Sequence, residues 1–229
     1  PMSALNGDNI VKPSAALSWY KGPTLLNFLE KIDINKNTKN LNHFYMPVQW
    51  VNRPNTNFRG FSGRIINGKI KKGDNIQILP SGIKTSIDQI VTYKKNLRTA
   101  IKGQSVTLTF KDDIDCSRGD IIASDTSEIE IANQFQATII WINENPLIPG
   151  RSYYLQIGTQ IVSASVAYPK YYINIDNMEK VATKTLELNY IGKANITTDR
   201  AIPFSSYVKN KTLGGFILID KMTNSTVCA

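Results

Sequence analysis

The 229-residue chain carries 27 Lys and Arg against 18 Asp and Glu, a formal net charge of +9. That length suffices for two modest domains, and the charge favours an acidic partner such as nucleic acid, nucleotide or protein. Its two cysteines, Cys116 and Cys228, form no CxxC pair and fit a reducing compartment, and no apolar run approaches the roughly 20 residues of a membrane span.

No signal-peptide pattern opens the chain, so a cytoplasmic location without a membrane partner is expected. Residues 1–12, PMSALNGDNIVK, read as a loop, and the start at Pro1 without an initiator methionine is what a fragment would show. In LLNFLEKI, residues Leu25, Phe28, Leu29 and Ile32 fall at i, i+3, i+4 and i+7, the stripe of an amphipathic helix. Pro23 suits its first turn and Gly22 its cap. The stripe needs a surface to cover, either a body preceding the chain or the β domains that follow. Residues 33–43, DINKNTKNLNH, are polar and asparagine-rich, as in a linker.

Strand patterns then take over. Phe44–Val51 alternates weakly, whereas Val106, Leu108 and Phe110 alternate cleanly with threonines. Between them lies Phe58–Ile78, FRGFSGRIINGKIKKGDNIQI, whose glycines at 60, 63, 68 and 73 interrupt alternating isoleucines. Such glycines mark bends and bulges where a sheet curls toward closure. A first β-domain is expected over 43–126. After the acidic joint SDTSEIEI, a second is expected over 130–229. It starts with Phe135, Ala137, Ile139 and Trp141 and continues with a hairpin around Gly158-Thr159. Asp176-Asn177-Met178-Glu179 reads as a capped helical turn, Leu186, Leu188 and Tyr190 as a strand, and Gly214–Ile219 as a final buried strand. About six strands per block make two consecutive β-barrels, a mainly β fold.

Candidate chemistry is sparse. Gly63–Lys69 spells most of GxxxxGK[ST], but Ile70 stands where a hydroxyl should hold Mg²⁺, and the segment reads on into strand rather than helix. The phosphate-loop reading is therefore set aside. His43 lacks neighbouring ligands, and Asp112, Asp113, Asp115 and Asp120 match no EF-hand spacing, so they read as solvated turns. Cys116 beside them reads as a buried filler. Arg53, Phe58, Arg59, Phe61, Arg64, Lys69, Lys71 and Lys72 could form a nucleic-acid face. Alternation instead sends the phenylalanines inward and the charges to solvent.

Gly63-Arg64-Ile65, Gly68-Lys69-Ile70 and Gly73-Asp74-Asn75-Ile76, with Ala100-x-x-Gly103 and Arg118-Gly119-Asp120-Ile121, resemble the second-domain barrel of translation-factor GTPases. Within that superfamily, PMSALNGDNIV with WYKGPTLLNFLE, PVQWVNRPNTNFRGFSG and LGGFILIDKMTNSTV resemble the large, GTP-hydrolysing subunits of bacterial sulfate adenylyltransferase. The resemblance covers essentially the whole chain.

It implies that 1–38 is the C-terminal loop and last helix of a P-loop GTPase domain. Residues 43–126 and 130–229 would be barrels like domains II and III of translation factors. It further implies that Ser3, Ala4 and Leu5 match the last guanine-nucleotide motif. GTP and Mg²⁺ would belong to the intact subunit, whose phosphate loop, Mg²⁺-binding aspartates and NKxD would lie upstream of Pro1. The implied partners are that missing N-terminal GTPase domain and the small catalytic subunit of sulfate adenylyltransferase, which forms adenosine 5′-phosphosulfate from ATP and sulfate. These 229 residues are accordingly expected to be inactive alone. The alternative from another class is a pair of elongation-factor barrels that bind tRNA, favoured by the +9 charge and disfavoured by the VNRPN-x-x-FRG segment.

Overall fold

The computed structural model describes residues 1–32, 43–56, 58–93 and 95–229. Most of the linker expected over 33–43 therefore lies outside the described residues. The chain divides into two compact units, Pro1–Lys39 and Asn40–Ala229.

In the first unit an irregular loop leads through a 3-10 turn, Ala15–Leu17, to helix α1, Leu25–Lys31. The helix is capped by Thr24, whose hydroxyl accepts the Asn27 N–H at 3.4 Å. This corrects the expectation for Gly22 and Pro23. A threonine side chain can satisfy an orphan N–H of the first turn and a glycine cannot. The predicted apolar stripe is exposed: Phe28, Leu29 and Ile32 keep 46–57% of their surface in solvent.

The second unit holds two barrels. The first uses β1 (Tyr45–Asn55), β2 (Phe58–Arg64), β3 (Lys69–Lys71), β4 (Asn75–Leu79), β5 (Ile83–Val91), β6 (Asn96–Leu97), β7 (Thr99–Ile101), β8 (Ser105–Phe110) and β9 (Ile121–Ser124). The order β4-β9-β1-β2-β8-β5-β6, with β4 also pairing β5, closes six strands into a ring, and β3 and β7 form a separate two-stranded ribbon. Its core is Met46, Val48, Phe61, Ile76, Ile78, Ile87, Ile90 and Leu108, each at most 2% exposed. The weak alternation of β1 has a structural cause. Its register against β2 slips between Val48 and Trp50, and an extra residue at a bulge breaks the period of two.

The second barrel uses β10 (Glu130–Ile140), β11 (Ser152–Ile157), β12 (Gln160–Val166), β13 (Tyr171–Ile173), β14 (Lys180–Val181), β15 (Ile191–Phe204), β16 (Ile217–Asp220) and β17 (Thr226–Cys228), with a short helix α2 (Lys211–Gly214) before β16. The path β10-β15-β12-β11-β16-β17 returns to β10 through the Ile140 N–H to Ala229 carbonyl bond at 2.7 Å and its reciprocal at 3.1 Å. The hairpin expected at Gly158-Thr159 is the β11–β12 turn, with Gly158 at φ +56°.

Three expectations in this barrel give way. Asp176–Glu179 is the turn of the β13–β14 hairpin. Met178 takes φ +60°, which ends any helix, and the Asn174 carboxamide oxygen accepts the Asp176 N–H at 3.0 Å. Leu186–Tyr190 is irregular, because the chain turns with Asn189 at φ +67° and the Tyr190 N–H on the Glu187 carbonyl. Gly214 ends α2, β16 is only half-buried, and β17 follows it. The longest strand, β15, was not foreseen. It bulges at residues 198–201 opposite Asn133, where Thr198 Oγ1 donates to the Arg200 carbonyl at 2.8 Å, so no long alternating run is visible.

The barrels meet along a seam. Leu213 of α2, 3% exposed, packs in one apolar cluster with Tyr45, Leu79, Ile121 and Ala123 of the first barrel. Thr159 Oγ1 donates to the Val48 carbonyl at 2.9 Å. Gly119, at φ +100°, has room for a Cβ only at 3.2 Å from Gln160. Burial holds the Asp120 carboxyl above its ordinary range, opposed by its hydrogen bond from the Ser117 N–H and by the Arg200 charge across the seam.

Candidate functional site

The Ser3-Ala4-Leu5 loop is folded back on itself. The Ser3 N–H donates to the Asp8 carbonyl at 3.1 Å, and Ser3 Oγ accepts the Asn6 N–H at 3.3 Å. Gly7 makes the return at φ +75°, and Asp8 is fixed by Ser14 Oγ at 2.6 Å. Asn9, 5% exposed, donates from Nδ2 to the Pro1 carbonyl at 2.7 Å, and its own carbonyl receives the Leu25 N–H. Thus the base of the loop is anchored while Leu5 stands 95% exposed.

Among the described residues no backbone acceptor meets the amides of Ala4 and Leu5 at the loop tip. The described residues hold no group of three His, Cys, Asp or Glu side chains able to surround one ion.

The Walker-like segment is a barrel corner. Residues Phe58–Arg64 are β2, Lys69 opens β3, and no helix follows. A Cβ on Gly63 would stand 2.3 Å from the Pro47 carbonyl oxygen, and one on Gly68 would stand 2.5 Å from that of His43. These glycines exist so that two strands can approach, and phosphate binding plays no part in them. His43 lies at the start of the first barrel, its ring stacked near Tyr45 and its Nδ1 3.4 Å from Thr126 Oγ1.

The basic and aromatic residues of this stretch separate as alternation requires. Phe61 is 2% exposed and stacks on Phe110 with centroids 4.5 Å apart. Arg59 lies over the Phe61 ring and reaches out of the barrel to Asp113 and Asp115, both at 3.0 Å. Arg59 and Asp113, together with Arg53, Gln89 and Lys111, edge an open groove of about 330 Å³. The acidic turn is therefore partly neutralised rather than simply solvated. Thr85 Oγ1 holds Asp112 Oδ2 at 2.7 Å, and the Asp120 carboxylate accepts the Ser117 N–H. Ion pairs this exposed contribute under about 1 kcal/mol each.

Beneath that turn Cys116 is 2% exposed, and in the second barrel Cys228 is 0% exposed. Burial pushes both thiols up to about 12. A buried thiol of this kind is a packing group and a poor nucleophile. A thiol reagent at pH 8 is expected to leave both cysteines unmodified in the folded chain and to label both rapidly in denaturant. Since the folded values are raised, the contribution of the neutral thiols to stability is complete below the unfolded thiol pKa of about 8.5. It is lost as pH rises toward 12, so labelling in the absence of denaturant should appear only at strongly alkaline pH. Stoichiometric labelling at pH 8 without denaturant would contradict this.

Exposed basic residues of the first barrel lie only partly in the stretch singled out from sequence. Lys69 and Lys71 on β3 are joined across the ribbon by Arg98 and Lys102 at the ends of β7. Their proximity depends on strand pairing over about thirty residues, which no local pattern announces.

Residues 61–123 match the family described as Elongation factor Tu domain 2, and residues 134–229 match the family described as GTP-eEF1A C-terminal domain-like. Over its whole length the chain is 46% identical to sulfate adenylyltransferase subunit 1 of Aliarcobacter butzleri (strain RM4018), covering 49% of that protein. It is 42% identical to the bifunctional enzyme NodQ of Rhizobium sp. (strain N33) and 43% identical to the bifunctional enzyme CysN/CysC of Rhodopirellula baltica, covering 35% of each. The chain thus spans half or less of these curated relatives. Among solved structures, sup35 complexed with GMPPNP superposes with a TM-score of 0.76 at 21% identity, over 100% of this chain and 56% of that one, a likeness of fold.

Proposed function

We propose, starting from a chain that belongs to the family of sulfate adenylyltransferase subunit 1, that its two barrels are the docking and coupling part of such a subunit. The reading rests on one observation, identity of 41–46% over matches that span all 229 residues. In this proposal residues 1–38 end the GTPase domain, with 43–126 and 130–229 as the barrels behind it. The intact subunit works in the cytoplasm as a heterodimer with the small catalytic subunit. There, GTP hydrolysis with Mg²⁺ drives formation of adenosine 5′-phosphosulfate from ATP and sulfate, and the adenylyl transfer takes place on the small subunit.

The contribution of this chain's own residues to nucleotide binding is small. The free amides of Ala4 and Leu5 supply one or two hydrogen bonds, about 1–3 kcal/mol, whereas micromolar affinity needs about 8 kcal/mol. The 229 residues contain neither a complete GxxxxGK[ST] nor an NKxD. Calorimetric titration of the 229-residue chain with GTP is expected to show no micromolar binding. In a pull-down, the small subunit is expected to be retained by both the intact subunit and this chain. Micromolar GTP affinity would overturn the first expectation, and failure of both forms to retain the small subunit would overturn the docking role. The +9 charge supports one other reading, barrels that clasp tRNA. A gel shift that weakens steeply with salt would favour it.

A further inference from the structure

The sequence holds two Asn-Gly pairs, Asn6-Gly7 and Asn67-Gly68. Asparagine is a chemically labile residue, and glycine after it makes it more so. Without a Cβ to shield it, the glycine amide nitrogen can reach the asparagine side-chain carbonyl carbon. That reaction needs a free carboxamide, a free amide nitrogen and a backbone able to turn. The fold offers all three at one pair and withholds them at the other.

Asn6 and Gly7 are both exposed, in the turn that returns the Ser3-Ala4-Leu5 loop to Asp8. Among the described residues neither the Asn6 carboxamide nor the Gly7 N–H has a hydrogen-bond partner. Gly7 sits at φ +75° with nothing within 4 Å of where a Cβ would stand. Asn6 itself is tied by its backbone N–H alone, to Ser3 Oγ at 3.3 Å at the surface. A turn this lightly held opens readily.

Asn67 is in the opposite situation. Its Nδ2 donates to the His43 carbonyl at 2.7 Å, and its own carbonyl accepts the Tyr45 N–H at 3.1 Å. Gly68 is buried, and its carbonyl accepts the Lys102 N–H at 2.9 Å. The pair is thus fastened to the start of the first barrel on one side and to the end of β7 on the other. Its carboxamide can swing onto the Gly68 nitrogen only when this corner of the barrel opens.

We propose that Asn6 is a site of spontaneous deamidation in the folded protein and that Asn67 is protected by the fold. The Gly7 nitrogen, having lost its proton, forms a bond to Asn6 Cγ. The Cγ–Nδ2 bond breaks, and the nitrogen leaves with that proton as ammonia. The product is a five-membered succinimide. One water then opens the ring at either carbonyl, giving aspartate or isoaspartate, so no oxidant or reductant is consumed. Either product adds a negative charge next to Asp8. Isoaspartate also inserts a methylene into the main chain, inside the loop that the Ser3 N–H closes on the Asp8 carbonyl at 3.1 Å. The modification therefore reshapes the turn that carries Ser3, Ala4 and Leu5.

The test incubates the 229-residue chain at mildly alkaline pH, folded and in guanidinium chloride. Peptide mass spectrometry follows the conversion of amide to acid at both positions. In the folded chain Asn6 is expected to convert at least about tenfold faster than Asn67, whereas in denaturant the two rates should converge. Conversion at Asn6 should quicken with pH and yield isoaspartate alongside aspartate. Asn6→Gln should abolish it, since glutamine would have to form a six-membered ring, and should leave Asn67 unaffected. Equal rates at the two positions in the folded chain would overturn the proposal. So would an Asn6 that converts only in denaturant. Aspartate as sole product, at a rate independent of pH, would mean direct hydrolysis and would overturn the attack by Gly7.

Discussion

Gly68→Val is expected to unfold the first barrel under conditions in which the wild-type chain is intact. Gly68 sits at φ +71°, and a Cβ there would stand 2.5 Å from the His43 carbonyl oxygen and 2.9 Å from Phe44 Cα. These are backbone atoms held in place. The Tyr45 N–H bonds the Asn67 carbonyl at 3.1 Å, the Ile66 N–H bonds the Tyr45 carbonyl at 3.0 Å, and Asn67 Nδ2 holds the His43 carbonyl at 2.7 Å. A β-branched residue in the left-handed region adds its own strain. The combined cost is about 3–5 kcal/mol, a large part of the 5–15 kcal/mol that holds a typical domain together. Gly82 provides the comparison. It has φ +73° with nothing within 4 Å of a Cβ, so Gly82→Ala should cost only about 1 kcal/mol. Urea unfolding of the two variants measures the difference, and equal losses would show that the close approach at Gly68 does not matter.

Leu213→Asp is expected to separate the unfolding of the two barrels. Leu213 is the second barrel's contribution to the cluster of Tyr45, Leu79, Ile121 and Ala123, and all of these are at least 92% buried. An aspartate there would place an unpaired charge in an apolar seam that also carries the Thr159 to Val48 bond at 2.9 Å. That bond contributes about 1 kcal/mol, too little to keep the barrels cooperative alone. Wild type should show one transition for residues 43–229 by calorimetry and the variant two. Leu213→Ala removes the apolar contact without adding charge and should cost about 2–5 kcal/mol. A single transition at the wild-type temperature for Leu213→Asp would place the coupling elsewhere.

Much of the architecture was legible because it is written locally. The Gly158-Thr159 hairpin, the strand at Val106–Phe110 and the alternation of Phe135 to Trp141 each follow from a period of two next to a turn residue. The Walker-like spelling could be rejected on Ile70, whose side chain has no hydroxyl to offer Mg²⁺, and on the strand pattern that follows it. Legibility ended where the backbone leaves its period. Bulges hid the register of β1 and the length of β15, and left-handed residues at Met178 and Asn189 ended segments whose side chains spell helix or strand. At the candidate site, residues 1–12 were legible as a loop, with Ser3, Ala4 and Leu5 singled out only by the family resemblance. The Asp8 and Asn9 anchors that shape it were not, because they are hydrogen bonds between residues that no periodicity links.

By itself the sequence determined that the chain is mainly β, that glycines at 63 and 68 mark corners rather than a phosphate site, and that Cys116 is a buried filler. These are properties of side-chain type and short-range spacing, and physical chemistry assigns them residue by residue. Only the tertiary structure decided which strands neighbour which. It thereby decided that Arg59 is held by Asp113 and Asp115, that Leu213 locks one barrel to the other, and that Lys69 and Lys71 share a face with Ile101. The reason is the closure of the ring. Pairing β3 with β7 and β4 with both β5 and β9 brings together residues tens of positions apart, and the free energy that selects those pairings comes from the common core they bury.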